Sequence, residues 1–485
     1  MLFNSIEFIL FLPLVFGCYW LIPNRKLSYQ NLLILVASYF FYGWWDWKFL
    51  GLILFSTIVD YSIGIFLSRS HKKIARKLLL WISILVNIGL LGFFKYYNFF
   101  IENFTLAFNS IGIHVNQSSL NIILPVGISF YTFQTLSYTI DVYRQNIKAT
   151  HSFLSFAAFV SFFPQLVAGP IERASHLLPQ FENARKFDYK NAVNGMRQIL
   201  WGLFKKIVIA DNAAEIVNQI YSQSGEVSGN SLALAAFFFA FQIYGDFSGY
   251  SDIAIGTARL FGFDLKQNFA FPYFSRNIAE FWRRWHISLS TWFRDYLYIP
   301  LGGSKGNILK KIRNTFIIFL VSGFWHGANW TFIVWGGLNA LFFLPLLLTE
   351  KNRKYLNNVS DNSNIPPFKV FMQIIFTFSL TCIAWIFFRA DSVHHAFEII
   401  NRIFSKSLIQ YSGIDFVGTR FHPLTVLVLI CLFILVEWLG RKQQFAIEHF
   451  RFYRIKSLKY GFYYLILLAI FWFNGSPQEF IYFQF

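Results

Sequence analysis

The stretch that decides the fold is residues 68–101, SRSHKKIARKLLLWISILVNIGLLGFFKYYNFFI, in which a basic segment precedes a long apolar run. A bilayer core about 30 Å thick requires roughly 20 apolar residues in a helix, and residues 78–101 supply that length. The run therefore predicts a membrane-spanning helix. The Lys and Arg residues before it place loop 68–77 in the cytoplasm, because basic loops stay on that side.

The same pattern recurs along the 485 residues, of which 55% are hydrophobic and 14% charged. Soluble proteins carry about 25% charged residues. We therefore predict an all-α polytopic membrane protein with about 11–12 transmembrane helices and re-entrant helices within 152–170 and 270–300. No soluble domain or internal repeat interrupts the chain, so 1–485 is predicted to be a single membrane domain. The predicted spans are 5–22, 31–45, 49–67, 78–101, 122–142, 194–222, 230–262, 314–330, 331–349, 369–389, 423–440 and 459–474.

The net charge of +18 has two possible explanations, nucleic-acid binding and membrane topology. When the spans are counted from loop 68–77, the other basic loops fall largely on the cytoplasmic side and residues 475–485 fall outside. This distribution indicates contact with anionic membrane lipids and predicts no nucleic-acid partner. The cysteines lie inside apolar runs, so we expect buried thiols and neither disulfides nor a metal site.

His326 is the first candidate catalytic residue, because it follows Arg313 by 13 residues within an apolar run. At 1.5 Å per helical residue, this spacing places it about 20 Å into the bilayer. Gly323 and Gly327 would give one small helix face, and Asn329 would share the face of His326. A buried neutral imidazole can act as a general base. The alternative is that His326 only hydrogen-bonds a neighbouring helix.

His286 is the second candidate and lies in the basic aromatic segment 281–296, FWRRWHISLSTWFRDY. Guanidinium groups pair with phosphates and indoles stack on rings, so the segment suits a donor such as a coenzyme A thioester. Anchoring at the membrane interface explains the same residues equally well. The candidate donor-binding residues are Arg283, Arg284, Trp285 and Arg294.

A third polar cluster, QIYGDFSGYSD at 242–252, puts Asp246 and Asp252 inside an apolar run. Carboxylates in a span need partners or a water-filled cavity. Ion pairs with Arg283 or Arg284 would satisfy them, and the glycines predict an unwound helix at a site.

Several of these motifs together resemble the membrane-bound O-acyltransferase (MBOAT) family, and most of all its bacterial alginate O-acetylation-like branch. The motifs are WHISLSTW at 285–292, RDYLYIPLGG at 294–303, GFWHG at 323–327, GISFYTFQ at 127–134, FPQLVAGPI at 163–171 and YGDFSGYSD at 244–252. The resemblance implies a helical body around a central tunnel that receives acetyl-CoA from the cytoplasm. It also implies that His326 is catalytic and that His286 is the second functional histidine.

The end of the chain, QEFIYFQF at 478–485, is similar to the C-terminal pattern of small proteins that accompany D-alanylating relatives. In those proteins the tyrosine is thought to carry the acyl group, so the likeness implies a relay role for Tyr482. Otherwise the aromatic tail anchors the chain at the outer interface.

The resulting hypothesis is O-acetylation of an extracytoplasmic polysaccharide by a protein of the bacterial cytoplasmic membrane. The resemblance implies an outer-side SGNH-like partner that passes the acetyl group to an exopolysaccharide or to peptidoglycan. Two alternatives stay open at this point: D-alanyl transfer to teichoic acid, and a polysaccharide or lipid transporter.

Overall fold

The computed structural model describes residues 1–115, 119–167, 169–360, 365–409, 419–475 and 478–481. Throughout these ranges the regular secondary structure is helical, with no β-strand. The predicted all-α class is therefore confirmed. The chain forms two compact units, residues 1–193 with 257–266 and residues 194–256 with 267–485. Whether it acts as a single domain over 1–485 stays a prediction.

Several helices begin and end close to predicted spans, such as 5–22 and 423–440, whereas the helical stretch over the predicted span 78–101 begins at Lys73 and continues to Ser110. In the first unit they are α1 Ile6–Leu21, α2 Leu27–Asp46, α3 Leu50–Arg69, α4 Lys73–Leu91, α5 Tyr97–Ser110, α6 Ile128–Tyr143, α7 Phe153–Ser161, α8 Phe163–Leu166 and α9 Ala174–Glu182. The later helices are α10 Tyr189–Leu203, α11 Asp211–Ser222, α12 Gly229–Leu260, α13 Ile278–Arg284, α14 Ile287–Phe293, α15 Ile308–His326, α16 Trp330–Leu348, α17 Phe368–Arg389, α18 Val393–Ile403, α19 Pro423–Gly440 and α20 Lys456–Trp472. Helices α10 and α12 run past the limits of the units.

Shorter helical forms punctuate the α-helices. Segments of π-helix occupy Gly92–Tyr96, Phe204–Ala210 and Arg294–Tyr298. Turns of 3₁₀-helix occupy Trp47–Phe49, Pro272–Phe274, Lys351–Arg353, Lys406–Leu408 and Arg451–Arg454. The stretches predicted to be re-entrant, 152–170 and 270–300, contain only short helices, such as α7, α8, α13 and α14.

Six segments within the described ranges are long and apolar enough to cross a membrane. Five of them carry exposed aliphatic and aromatic side chains, which suits contact with lipid tails, whereas Gly229–Leu260 is largely buried within the protein. The total of about 11–12 spans stays a prediction. The six segments are Leu27–Arg69, Lys73–Ser110, Gly229–Leu260, Trp330–Leu348, Phe368–Arg389 and Pro423–Gly440.

Polar side chains connect the helices inside the first unit. Asp60 on α3 accepts hydrogen bonds from Ser83 (2.6 Å) and Asn87 (2.8 Å) on α4, and Thr135 on α6 donates to Asn87 (3.0 Å). All four residues are buried. Hydrogen bonds of this kind hold membrane helices together, because lipid offers no hydrophobic driving force between them.

Helices α15 and α16 pack closely in the second unit because glycines face each other across them. A Cβ added at Gly323 would overlap the carbonyl oxygen of Phe332 and lie 3.3 Å from the Cα atom of Gly336. A Cβ at Gly336 would in turn overlap the carbonyl oxygen of Phe319. This contact fixes the course of α15, whose last residue is His326.

The expectation that the cysteine thiols are buried is wrong for two of the three residues. Cys18 on α1 and Cys431 on α19 are exposed on apolar helices, and Cys382 is partly exposed. An apolar run in a membrane helix does not predict burial within the protein, because the outer face of the helix meets lipid.

Candidate active site

His326 ends helix α15, which runs without interruption from Ile308 and includes Arg313. The predicted helical path between that arginine and the histidine is therefore confirmed. At Gly327 the backbone becomes extended, with φ −165° and ψ 155°, and the helix stops. The side chain of His326 is buried, with the whole residue only 4% exposed.

Aromatic rings surround the His326 imidazole. The ring centroids of Trp325, Trp335 and Phe388 lie 4.9, 5.1 and 5.3 Å from it. Trp335 also stacks on Trp385 at 5.6 Å. These aromatic rings shield the imidazole from bulk water.

Trp325 contacts both candidate histidines. Its ring centroid is 4.9 Å from that of His326 and 6.1 Å from that of His286. The two histidines are 40 residues apart in sequence (326 − 286), yet both imidazoles contact the indole of Trp325. The structure brings together the two histidines that the sequence singled out.

His286 occupies a strained backbone position between helices α13 and α14. Its φ of 43° and ψ of 55° lie in the left-handed region, which non-glycine residues seldom adopt. Such a conformation persists only where neighbouring contacts enforce it, and it often marks functional sites. The residue is 1% exposed.

Asn268 holds this position through several hydrogen bonds. Its side-chain oxygen lies 3.1 Å from Nδ1 of His286 and accepts hydrogen bonds from the Ser288 amide (3.3 Å) and hydroxyl (2.9 Å). Its backbone carbonyl accepts from Ile287 N–H at 2.9 Å. Its side-chain nitrogen donates to the Ser251 hydroxyl at 3.1 Å.

These bonds define the tautomer of His286. A backbone N–H can only donate, so the Asn268 atom facing the Ser288 amide is the oxygen. The same oxygen lies 3.1 Å from Nδ1 of His286, which favours the neutral tautomer with the hydrogen on Nδ1. The lone pair of the neutral imidazole is consequently on Nε2.

Asn329 does not lie on the face of α15 as predicted, because that helix ends three residues earlier. Instead it precedes α16 and accepts a hydrogen bond from the Thr331 amide at 3.0 Å. Its side-chain nitrogen donates to the Asp391 carbonyl at 3.1 Å. The prediction that Asn329 shares a helix face with His326 is therefore wrong, whereas a catalytic role for Asn329 stays a prediction.

The candidate donor residues are not gathered around one point. Arg284 is 9% exposed and pairs with Glu280 at 3.0 Å, whereas Arg283 is exposed and donates to the carbonyls of Asn352 and Tyr355. The Arg294 side chain is 58% exposed and pairs with Asp295 at 2.6 Å.

The last candidate donor residue, Trp285, is 1% exposed. It packs between Phe281 and Trp385, with ring centroids 5.5 and 5.1 Å away. Trp285 therefore belongs to the aromatic core of the second unit.

Asp246 and Asp252 do form buried ion pairs, but their partners are lysines and not the predicted arginines. Lys206 pairs with Asp246 at 2.8 Å, and Lys205 pairs with Asp252 at 2.5 Å. Both aspartates lie on the continuous helix α12, so the prediction of an unwound segment was also wrong.

The glycines of α12 serve close packing within the second unit. A Cβ at Gly245 would come 2.9 Å from the Lys205 carbonyl oxygen, and one at Gly249 would come 2.8 Å from that of Gly202. The absent side chains let the helix lie directly against the segment that carries the two lysines.

The C-terminal tail reaches the same region. Phe480 is fully buried, and its ring centroid lies 4.4 Å from Tyr250 and 6.0 Å from Phe247. Phe247 in turn contacts His286 at 4.6 Å. The described part of the tail is therefore inside the second unit, one aromatic ring away from His286. Tyr482 lies outside the described residues.

Sequence reasoning missed Asn268, Lys205 and Lys206. The two lysines carried a usable signal, because consecutive charges inside the apolar run 194–222 need partners within the protein. Asn268 carried no such signal, because a single amide side chain in a polar loop does not stand out in a sequence. No three His, Cys, Asp or Glu side chains in the described ranges lie close enough to hold a metal ion.

Helices long and apolar enough to cross a membrane, together with two buried histidines in the second unit, suit a membrane-embedded enzyme, and comparison with known proteins agrees. The chain belongs to the MBOAT, membrane-bound O-acyltransferase family, whose family model matches residues 32–388. It is therefore an O-acyltransferase and a multi-pass membrane protein. This membership favours the enzyme over the transporter alternative.

Three relatives represent two groups, the polysaccharide O-acetylases and the teichoic acid D-alanyltransferases. The probable alginate O-acetylase AlgI of Azotobacter vinelandii is 38% identical over 92% of this chain and 86% of that protein. The peptidoglycan O-acetyltransferase of Helicobacter pylori is 36% identical over 86% of this chain and 81% of its own. The teichoic acid D-alanyltransferase of Bacillus subtilis is 28% identical over 57% of this chain and 71% of its own. All three are bacterial, which fits the expected place in a bacterial cytoplasmic membrane.

Proposed function

We propose that this protein moves acetyl groups from cytoplasmic acetyl-CoA across the membrane for O-acetylation of a polysaccharide on the other side. The observation that carries the proposal is the pair of buried histidines, His286 and His326, that contact the same indole of Trp325. Relatives named as alginate and peptidoglycan acetylases support the reaction type and the polysaccharide acceptor.

His326 is the proposed general base. It takes the proton of an acceptor hydroxyl while that oxygen attacks the thioester carbonyl carbon. The C–O bond forms, the C–S bond breaks, and coenzyme A leaves as a thiolate that receives the proton back from the imidazolium. General-base catalysis of this kind contributes about 10²- to 10⁴-fold.

His286 orients the acceptor in this scheme. Its Nε2 lone pair is fixed by the hydrogen bond between Nδ1 and Asn268, so it can accept a hydrogen bond from the incoming hydroxyl. Asn329 begins α16 directly after the His326 turn and would steady that turn. Oriented binding of both reactants lowers the entropic part of the barrier.

Tyr482 is the proposed first acceptor. Support comes from the burial of Phe480 and Ile481 and from the contact of Phe480 with the Phe247 ring that touches His286. This burial favours a tail within the protein over an aromatic anchor at the interface. The acetyl ester on the tyrosine oxygen would then pass to the serine of an outer-side SGNH-like partner and on to the exopolysaccharide or peptidoglycan.

On the donor side, Arg283 and Arg294 are exposed and suit the phosphates of acetyl-CoA. Arg284 is engaged by Glu280, and Trp285 is buried in the aromatic core. These two residues would support the donor site by fixing α13. No metal is required by this chemistry.

An acetyl donor is favoured over a D-alanyl donor by the extent of similarity. The alginate acetylase relative aligns over 92% of the chain at 38% identity, whereas the D-alanyltransferase relative aligns over 57% at 28%. We therefore assign the protein to polysaccharide acetylation and leave the particular glycan to experiment.

The test compares His326→Gln and His286→Gln with the matched control His394→Gln, whose side chain is 85% exposed. With radiolabelled acetyl-CoA, we expect His326→Gln to lose at least about 100-fold in transfer and His394→Gln to match the wild type. Full glycan O-acetylation by folded His326→Gln protein would refute the mechanism.

Mass spectrometry of the C-terminal peptide should find an acetyl ester on Tyr482, and a bare peptide under trapping conditions would refute the relay.

A further inference from the structure

We propose that Lys206 and Asp246 form a peptide-binding site that docks the C-terminal segment 478–481 through its backbone. The ligand class is a short peptide segment with an aromatic side chain, supplied here by the chain itself. The docking site stands on its own geometry, and only its consequence for acetyl transfer rests on the proposed relay.

The site is a buried cluster of opposite charges. Nζ of Lys206 lies 2.7 Å from an oxygen of Asp211 and 2.8 Å from an oxygen of Asp246, and the three side chains are no more than 5% exposed. One ammonium group therefore faces two carboxylates. A buried carboxylate needs hydrogen bonds to its remaining lone pairs, so this cluster requires a further donor.

The tail supplies that donor. The backbone N–H of Ile481 donates to the second oxygen of Asp246 at 2.7 Å, in a buried setting. A hydrogen bond to a charged acceptor is worth roughly twice a neutral one. Docking the segment thus satisfies an oxygen that would otherwise be a buried, poorly paired acceptor.

Lys206 contacts the other end of the same segment. Its Nζ donates to the backbone carbonyl of Gln478 at 3.0 Å. An ammonium and a carboxylate thus bind a carbonyl and an N–H three residues apart. Because these two backbone groups have opposite polarity, the pair of side chains fixes both the direction and the position of the segment.

Side-chain burial along segment 478–481 supports this mode of binding. Phe480 and Ile481 are 0% and 1% exposed, whereas Glu479 is exposed. The Phe480 ring packs on Tyr250, whose ring also lies 5.6 Å from Nζ of Lys206. Recognition therefore combines two backbone contacts with one aromatic pocket and leaves position 479 free to vary.

Lys206 lies in a local distortion of its helix. Lys205 and Lys206 both lie in the π-helical segment Phe204–Ala210, a distortion often found at functional sites. Directly after it, Asn212 donates to the Phe473 carbonyl at 2.9 Å, where α20 ends. Lys206 in the π-helix and Asn212 at the start of α11 thus hold the chain at two points, as it leaves α20 and again at Gln478.

The experiment measures amide hydrogen exchange of the tail in the full-length protein by mass spectrometry. Ile481→Pro removes the N–H that donates to Asp246, and Ile481→Ala removes the side chain while keeping that N–H. We expect the remaining tail amides of Ile481→Pro to exchange at least about tenfold faster than those of Ile481→Ala, since one charge-assisted hydrogen bond is lost. Glu479→Ala, at the exposed position, should match the wild type.

Asp246→Leu tests the other partner and should release the tail in the same way. If this variant does not fold, the tail variants still decide, because they leave the buried cluster intact. Equal tail exchange in Ile481→Pro and Ile481→Ala would overturn the docking site. Released tails with unchanged acetyl transfer would support the docking site and refute the Tyr482 relay, so the two proposals fail separately.

Discussion

At the residue scale, the hydrogen bond between Asn268 and His286 decides which ring nitrogen of the histidine can act. The Asn268 oxygen keeps the hydrogen on Nδ1 and the lone pair on Nε2. In Asn268→Ala the ring can adopt the other tautomer and leave its left-handed backbone position. We expect kcat to fall about tenfold or more, the equivalent of one lost hydrogen bond.

The control for this prediction is Ser251→Ala. It removes the hydrogen bond that the Asn268 side-chain nitrogen donates to the Ser251 hydroxyl and keeps the Asn268 oxygen that faces His286. It should therefore lower kcat by less than Asn268→Ala does. Steady-state acetyl transfer at saturating acetyl-CoA measures both variants. If Asn268→Ala retains wild-type kcat, His286 does not depend on this tautomer.

At the element scale, the glycine contact between α15 and α16 positions His326 at the end of its helix. A Cβ at Gly323 would overlap the Phe332 carbonyl oxygen, so Gly323→Ala must push the two helices apart. Overpacking of this kind costs about 1–3 kcal/mol. We expect a lower thermal unfolding midpoint together with reduced acetyl transfer.

Gly337→Ala on α16 is the matched control, because an added Cβ there would meet only the side chain of Leu320 at an ordinary 3.8 Å. A methyl group at this site should be neutral or slightly stabilising, as alanine favours helices over glycine. Thermal unfolding in detergent compares the two variants. Equal stability of Gly323→Ala and the wild type would show that this contact does not hold the helix pair.

These elements also show which parts of the structure could be predicted. Apolar length gave the bounds of helices such as α17 and α19 closely, because bilayer thickness sets that length directly. The glycines of α12 were misread, since a glycine indicates either an unwound turn or close approach, and only the facing segment decides. The aspartate partners were misassigned for the same reason: Lys206 and Asp246 are 40 residues apart (246 − 206), and nothing local indicates that they meet.

At the scale of the whole molecule, the distribution of its 42 basic residues predicts an orientation. Basic loop 68–77 should face the cytoplasm, and the tail after α20 should lie toward the outer side. The acetyl-transfer proposal needs this arrangement, because the donor is inside and the final acceptor outside. The proposed relay then requires Tyr482 to accept the acetyl group from the cytoplasmic donor and present it to the outer-side partner.

Single-cysteine labelling tests this orientation in a background where Cys18, Cys382 and Cys431 are replaced by serine. Lys72→Cys and Glu479→Cys introduce thiols at exposed positions, and a membrane-impermeant maleimide reports their side. We expect Glu479→Cys to react in right-side-out vesicles and Lys72→Cys only in inside-out ones. If both thiols react from the same side, the tail cannot hand an acetyl group from a cytoplasmic donor to an outer partner. The relay would then fail even if Tyr482 were found to be acetylated, because an ester formed and released on one side transports nothing.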